Sequence, residues 1–296
     1  MKQSNMWGIA LQSIKKWFFN NLVEKRRIRN IAKLSRDIEK RIFETLAPID
    51  EKIAPKEIRP LINAINRLVS YFEERSQHEQ DFSANASHEL RTPLAGIRLQ
   101  TEIAMSTDDP DIQKKAHQNI LLAIDQNERL IEQLLTLARL TSDRVELSME
   151  RVNIGQLAGH VVAQLLSVAE AKNIKLIIES WNNAYILASA ENISILLHNL
   201  IRNAINYTPD GGKIRVKVES KNKEILLRVI DNGSGIPKDK YEVVLKRFQK
   251  TGNDSRSGSG LGLSIVKRIC DLHHAKLKLG KATKAGGLKV TVTFAN

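Results

Sequence analysis

The chain has 296 residues, of which 42% are hydrophobic and 27% charged, with 15 Gly and 7 Pro. This length allows two or three domains of ~100–200 residues, and the composition excludes a mainly disordered or collagen-like chain. The single cysteine, Cys270, excludes an internal disulfide and a zinc cluster built from thiolates.

The net charge of +13 is concentrated at the start of the chain, where residues 1–36 carry nine Lys or Arg side chains and one acid, Glu24. A helix in which the apolar residues share one face beside basic residues is a basic amphipathic helix. Such a helix either lies on an anionic membrane surface or packs against its own protein, and both alternatives stay open. The apolar residues at this spacing are Trp7, Leu11, Ile14, Phe18 and Leu22.

The sequence has no uncharged stretch near the ~20 apolar residues that span a bilayer, and no signal-peptide cleavage pattern follows its start. We therefore expect a cytoplasmic protein without a transmembrane segment. Residues 1–36 would make at most a peripheral contact with the anionic inner face of the cell membrane. The remaining positive charge is diffuse and carries no nucleic-acid-binding motif, so we expect no nucleic-acid partner.

Two long helices are predicted after Pro55 and Pro60. Apolar residues follow approximate heptad spacing from Leu61 to about Ser106, the run 107–110 (Thr-Asp-Asp-Pro) ends the helix, and a second helix follows to about Thr141. The resulting antiparallel hairpin has more apolar surface than two helices can hide. Dimerisation into a four-helix bundle would bury it.

Beyond Glu150 the pattern changes to alternating helices and strands. A helix capped by Asn153 is predicted over 154–172, and further helices near 190–206 and 261–273. This order predicts a mixed sheet with helices on one face, an α/β sandwich. The predicted strands are 174–180, 184–187, 213–219, 225–230, 275–279 and 288–294.

A histidine stands beside an unusual proline in the first helix, in the sequence His88-Glu-Leu-Arg-Thr-Pro93-Leu. Pro93 lacks an N–H and clashes with the carbonyl of Glu89, so we expect a bend there. A neutral imidazole can attack phosphorus, and Glu89 is the nearest carboxylate that could orient it. By itself, however, a histidine on a helix is usually an ordinary surface or bundle residue.

Three later motifs suit a nucleotide. Asn199 and Asn203 lie four residues apart on one helix face, where two amide oxygens can complete a magnesium shell. Asp231 follows an apolar strand and precedes Gly233 and Gly235, so its carboxylate could accept a bond from an adenine amine. The run 258–263 (Gly-Ser-Gly-Leu-Gly-Leu) opens a helix whose N–H groups can cradle phosphates, although each of these motifs alone is weak.

Together, in this order, the motifs resemble a known family. The sequence from His88 to Leu94 resembles the H box of sensor histidine kinases, and the later motifs resemble the N, G1 and G2 boxes of the GHKL ATP-binding fold. Arg247-Phe248 resembles the F box, and Gly286-Gly287 the last glycine motif. The resemblance covers roughly residues 60–296, and a weaker upstream pattern is similar to a HAMP linker.

The resemblance implies four segments and a reaction. The segments are a basic amphipathic start (1–30), a HAMP-like linker (31–75), a dimerisation and histidine phosphotransfer domain (76–144) and an ATP-binding domain (145–296). The reaction is autophosphorylation from ATP and Mg²⁺, followed by transfer to an aspartate of a response regulator receiver domain, with phosphatase activity toward the phosphorylated regulator. The implied catalytic residues are His88 as phosphoacceptor, Glu89 as general base and Thr92, with Glu89, for hydrolysis. The implied ATP-binding residues are Asn199, Asn203 (also the magnesium ligand), Tyr207, Asp231, Gly233, Gly235, Ile236, Arg247, Gly258, Gly260, Leu261, Gly262 and Leu263.

Two other functions remain open. Asn206 occupies a position where relatives often carry a basic phosphate contact, and the membrane spans expected before a HAMP linker are missing, which would suit an ATP-sensing scaffold without kinase activity. Arg202, Arg247, Lys250 or Arg256 could replace the missing contact. A mechanical GHKL ATPase is disfavoured, because such chains have a long transducer domain after the nucleotide-binding fold, whereas this sequence ends at Asn296.

We expect residues 1–36 to bind anionic vesicles reversibly. Salt should weaken the electrostatic part of binding and leave the apolar part from Trp7, Phe18 and Leu22. Co-sedimentation at low and high salt, compared with a chain that starts near Ser35, measures both parts. Equal pelleting of the two chains would show that the segment is a packed structural helix.

Overall fold

The computed structural model describes residues 48–50, 56, 58–142, 147–179, 184–221, 224–250, 258–283 and 286–295. The predicted amphipathic helix within 1–36, the first part of the HAMP-like segment and the polar run 251–257 lie outside the described residues. The chain divides into two compact units, Met1–Ser83 and Ala84–Asn296, and the division falls inside the first described helix.

In the first unit, a short segment packs on the helix that follows it. Ile49 and Ile62 are buried, with Ile58 and Ile65 packed against them. The side-chain amide of Asn66 bonds both backbone groups of Ile49: Nδ2 donates to the carbonyl and Oδ1 accepts from the N–H, each at 2.9 Å. This pair of hydrogen bonds holds the segment at a fixed position along the helix.

Two long helices form the predicted hairpin, α1 (Arg59–Ser106) and α2 (Pro110–Thr141). Asp109 caps α2 by accepting hydrogen bonds from the backbone N–H groups of Asp111 and Ile112, so the turn sequence itself starts the second helix. Gln100 and Asn119 bond across the hairpin at 3.1 Å. Helix α1 contains Pro93 and is continuous through it, and the bend beside His88 stays a prediction.

The second unit continues from this hairpin into an α/β sandwich, which confirms the predicted fold class. Asn153 caps the helix that follows it by accepting from the N–H of Gln156 at 3.1 Å, as predicted. The helices are α3 (Ile154–Glu170), α4 (Ala190–Tyr207) and α5 (Gly262–Leu272), and two 3-10 turns cover Lys238–Lys240 and Val243–Leu245. The strands are β1 (Glu150–Asn153), β2 (Lys175–Glu179), β3 (Tyr185–Ala188), β4 (Lys213–Lys221), β5 (Glu224–Asp231), β6 (Lys276–Thr283) and β7 (Gly286–Ala295).

The strands form two sheets instead of the single sheet that was predicted. The main sheet has the order β2-β4-β5-β7-β6, in which β2 and β4 are parallel and the other pairs antiparallel. Strand β3, predicted within this sheet, instead pairs with the unpredicted strand β1. Strand β1 does not alternate exposed and buried residues, so the sequence gives no strand signal there. The pairing of β3 with β1 is chosen by tertiary packing.

One face of the main sheet is buried against helices. Along β5, Ile225, Leu227 and Val229 are buried while the residues between them are partly exposed. Cys270 on α5 is fully buried, and burial raises the pKa of its thiol to about 12, so the thiol stays protonated at neutral pH.

Among the described helices, none is both long and apolar enough to cross a bilayer.

Candidate functional site

A cavity opens between α4, the end of β5, the start of β7 and the loop before α5. Eight of the sequence-predicted binding residues line it. They are Asn203, Tyr207, Asp231, Gly235, Ile236, Gly260, Gly262 and Leu263. The sequence did not identify most of the apolar lining, namely Leu200, Ala204, Val229, Val244, Leu288 and Val290, because these residues read as ordinary core positions of their helices and strands.

Asp231 is a buried carboxylate at the end of β5. Its Oδ1 accepts hydrogen bonds from the backbone N–H groups of Gly233 at 2.9 Å and Leu288 at 3.0 Å. Burial raises the pKa of Asp231, and these N–H donors partly offset the rise. Both of these bonds engage Oδ1, so Oδ2 is the oxygen suited to accept a hydrogen bond from a ligand.

Two glycines are required by close backbone approach. A Cβ on Gly233 would collide with the carbonyl oxygen of Tyr207. Gly260 has a φ of +73°, and a Cβ there would lie 2.7 Å from the backbone of Phe248. Larger side chains at either position would therefore deform the cavity wall.

The two asparagines of α4 converge on the start of α5. A Cβ added to Gly262 would lie 3.1 Å from Asn199 Oδ1 and also 3.1 Å from both polar atoms of the Asn203 side chain. The glycine thus keeps open a small space faced by two neutral amides. In the described residues, no group of three or more His, Cys, Asp or Glu could hold a metal ion. The amide oxygens therefore fit Mg²⁺ only as partial ligands, with phosphates and water completing its shell.

The other five predicted binding residues are not among those that line the cavity. Two of them, Asn199 and Gly233, are described above, and the remaining three are Leu261, Gly258 and Arg247. Leu261 is fully buried, so only its backbone could contact a ligand. Gly258 is exposed with a φ of +61°. Arg247 is half-buried, and burial, followed by the charge of Arg268, lowers its pKa.

The predicted phosphoacceptor segment lies beside this cavity. Lys250 lines the cavity, and its Nζ donates to both carboxylate oxygens of Glu89, at 2.9 and 2.8 Å. His88 and Thr92 are exposed, and Thr92 Oγ1 donates to the His88 carbonyl at 3.3 Å. The structure therefore brings the Glu89 carboxylate, 161 residues away in sequence, to a residue of the cavity wall.

Sequence reasoning missed Gln133, a residue of α2 that reaches the same region. Its Nε2 donates to Asn199 Oδ1 at 3.3 Å, and its Oε1 accepts from Ser259 Oγ at 2.7 Å. Nearby, Arg268 Nε donates to the carbonyl oxygen of Leu140 at 2.8 Å. A glutamine on a helix has no local signal that could have identified these contacts.

We expect Asp231→Asn to weaken adenine-nucleotide binding about tenfold or more, because a charge-assisted acceptor is lost. In the native protein, affinity should fall as pH drops through the raised pKa of Asp231, and the variant should lose this dependence. Calorimetric titration across pH measures both effects, with Asp125→Asn on the exposed side of α2 as the control.

The same substitution also has an expected effect on stability. A carboxyl whose pKa is raised by folding stabilises the protein at low pH, and this contribution is lost as pH rises through the raised pKa. At pH 7, Asp231→Asn should therefore not lower the thermal unfolding temperature of the nucleotide-free protein. A clear drop would show that the carboxylate is mainly structural.

Comparison with known proteins identifies the two parts of the chain. Residues 78–143 match the His Kinase A (phospho-acceptor) domain, and residues 188–296 match the family of histidine kinase-, DNA gyrase B- and HSP90-like ATPases. The second match supports ATP as the ligand of the cavity.

Similar proteins agree with these matches. Sensor protein BasS of Escherichia coli K12 is 32% identical over 274 residues, which cover 90% of this chain and 72% of that protein. Sensor protein kinase PmrB of Pseudomonas aeruginosa is 32% identical over 268 residues, and here the chain spans only 56% of the relative's length. Histidine kinase ThkA, solved in complex with response regulator protein TrrA, matches 76% of this chain and 66% of that one, with 25% identity and a TM-score of 0.60. This chain belongs to the sensor histidine kinases of two-component systems.

Proposed function

We propose that this chain binds ATP, phosphorylates itself on His88 and passes the phosphoryl group to an aspartate of a response regulator receiver domain. The observation that carries the proposal is the ion pair between Glu89 and Lys250. This ion pair joins the residue next to His88 to the wall of the proposed ATP cavity, so the phosphoacceptor segment lies next to the nucleotide site.

The proposed chemical step is an in-line transfer. One imidazole nitrogen of His88 attacks the γ-phosphorus, an N–P bond forms, and the bond to the bridging oxygen breaks so that ADP leaves. The attacking ring must lose its other N–H proton, and Glu89 is the neighbouring carboxylate that can take it. Glu89 can do so only after its carboxylate leaves Lys250, to which both of its oxygens are bonded here.

The remaining site residues hold the nucleotide. Asp231 would accept from the adenine amine, Tyr207 and Ile236 would flank the base, and the loop 258–263 would surround the phosphates. Asn203, with Asn199 beside it, would hold Mg²⁺, which when bound neutralises charge on the triphosphate. The space that Gly262 leaves between the two amides supports this assignment.

The receiver domain is the proposed partner, and ThkA provides a relative solved with a response regulator protein. Thr92 lies one helical turn after His88 and is exposed. Its hydroxyl hydrogen bonds to a backbone carbonyl at 3.3 Å, a long contact that an incoming phosphoaspartate and its attacking water could replace. We assign Thr92, with Glu89, to hydrolysis of the phosphorylated regulator.

We further propose that two copies of the chain associate through the hairpin. A single copy leaves many large apolar side chains of α1 and α2 exposed. Large exposed apolar patches mark interaction sites. A four-helix bundle would cover these side chains. They include Leu94, Leu99, Met105, Ile112, Leu121, Leu122, Ile124, Ile131 and Leu135.

The location of the reaction follows from its substrate. A kinase domain needs ATP, so we place the chain on the cytoplasmic side, with residues 1–36 at the inner face of the membrane. The vesicle experiment above tests the second part of this placement.

We expect His88→Gln to abolish autophosphorylation from γ-labelled ATP and to leave the affinity for a nonhydrolysable ATP analogue within about twofold. The label on the native protein should be stable in base and labile in acid, as a phosphohistidine is. His117→Gln, which changes an exposed histidine on α2, is the matched control. Label retained on His88→Gln would overturn the assignment, absence of turnover in the native protein would indicate a scaffold, and free phosphate without labelled protein would indicate a mechanical ATPase.

We expect Thr92→Ala to retain most kinase activity and to lose phosphatase activity toward the phosphorylated regulator. The hydroxyl can position water but is not needed for attack by His88. Thr101→Ala is a close control, because Thr101 Oγ1 also donates to the carbonyl four residues before it on α1. Equal loss of both activities in Thr92→Ala, with the dimer intact, would contradict a role in positioning water.

A further inference from the structure

Gln133 lies on the helical hairpin, yet its side chain bonds two residues of the nucleotide site. Its Nε2 donates to Asn199 Oδ1 at 3.3 Å, and its Oε1 accepts from Ser259 Oγ at 2.7 Å. Asn199 lies on α4 beside the proposed magnesium ligand, and Ser259 lies in the glycine loop before α5. We call these two bonds the Gln133 clasp.

The hydrogen-bond network fixes the direction of each bond in the clasp. Asn199 Nδ2 donates to the carbonyl oxygen of Ile195 at 2.9 Å, and a carbonyl can only accept. Asn199 Oδ1 must therefore face Gln133, which must present its Nε2 there and its Oε1 toward Ser259. The clasp satisfies both ends of the Gln133 amide.

The clasp uses atoms that the nucleotide site would offer to phosphates and metal. Asn199 Oδ1 is one of the two amide oxygens that face the space beside Gly262. The backbone N–H of Leu261, which could donate to a phosphate, instead donates to Ser259 Oγ at 3.2 Å. Both ends of the proposed polyphosphate site are thus satisfied internally while Gln133 is in place.

We propose that Gln133, which the hairpin supplies, competes with the metal-bound triphosphate for Asn199 and the glycine loop. The proposal rests on the proposed ATP function. Because linkage is reciprocal, a nucleotide that opens the clasp also weakens docking of the ATP-binding domain on the hairpin. The docked arrangement is the one in which Lys250 holds Glu89, so ATP binding favours release of the general base.

Binding of a nonhydrolysable ATP analogue with Mg²⁺ to the full chain tests the competition. Gln133→Ala removes both bonds of the clasp, and we expect about three- to tenfold tighter binding of the analogue. The shape-matched Gln133→Met should give the same direction of change if the alanine variant folds poorly. Gln126→Ala, one heptad earlier on an exposed position of α2, should stay within about twofold of the native protein.

The affinity for adenosine is the control measurement, because a general change in the cavity would alter it as well. It has no phosphates and needs no metal, so its affinity should be the same in the native protein and in both Gln133 variants. Unchanged or weaker binding of the analogue by both variants, or an equal gain for adenosine, would overturn the proposal. A native protein that binds neither ligand would instead contradict the proposed ATP function.

Discussion

The feature on which this arrangement depends is a set of polar bonds between the helical hairpin and the ATP-binding domain. Glu89 bonds Lys250, Gln133 bonds Asn199 and Ser259, and the Leu140 carbonyl accepts from Arg268. Each bond is only partly buried, and neutral hydrogen bonds or partly exposed ion pairs contribute about 1 kcal/mol each. A nucleotide shifts the docked form only by the difference between its affinities for the docked and undocked forms. In the proposed competition, that difference comes from the bonds of Asn199 and the glycine loop, which Gln133 and the nucleotide would both use.

The cavity itself depends on the opposite kind of interaction, a buried charge. Burial deprives the Asp231 carboxylate of hydration, and two backbone N–H groups compensate for part of the lost hydration energy. Those N–H groups belong to Gly233 and Leu288, so the carboxylate also holds the loop after β5 against β7. The close approach of Gly233 to the Tyr207 carbonyl follows from the same loop path. One carboxylate thus holds the pocket wall through Oδ1 and leaves Oδ2 as an acceptor for a ligand.

Much of the fold and site could be predicted because their signals are local. The Asn153 cap, the turn at Asp109 and the spacing of Asn199 and Asn203 all lie within a few residues of the elements they determine. The pairing of β1 with β3 could not be predicted, since β1 does not alternate exposed and buried residues. The two contacts of Gln133 are with residues that lie 66 and 126 positions away in the sequence, and the contact of Glu89 is with a residue 161 positions away. Such contacts depend on how domains pack, which no local pattern encodes.

For the proposed reaction, the orientation of α1 implies that the docked form is not the form in which His88 receives the phosphoryl group. Neighbouring residues on a helix point about 100° apart, and here Glu89 faces Lys250 while His88 is exposed to solvent. For His88 to reach the γ-phosphate of ATP bound to the same chain, either α1 must rotate or the ATP-binding domain must move around it. For Glu89 to act as a base, it must first leave Lys250. Both requirements are met by one event, the loosening of the docked contact, and the proposed opening of the Gln133 clasp by ATP would favour that event.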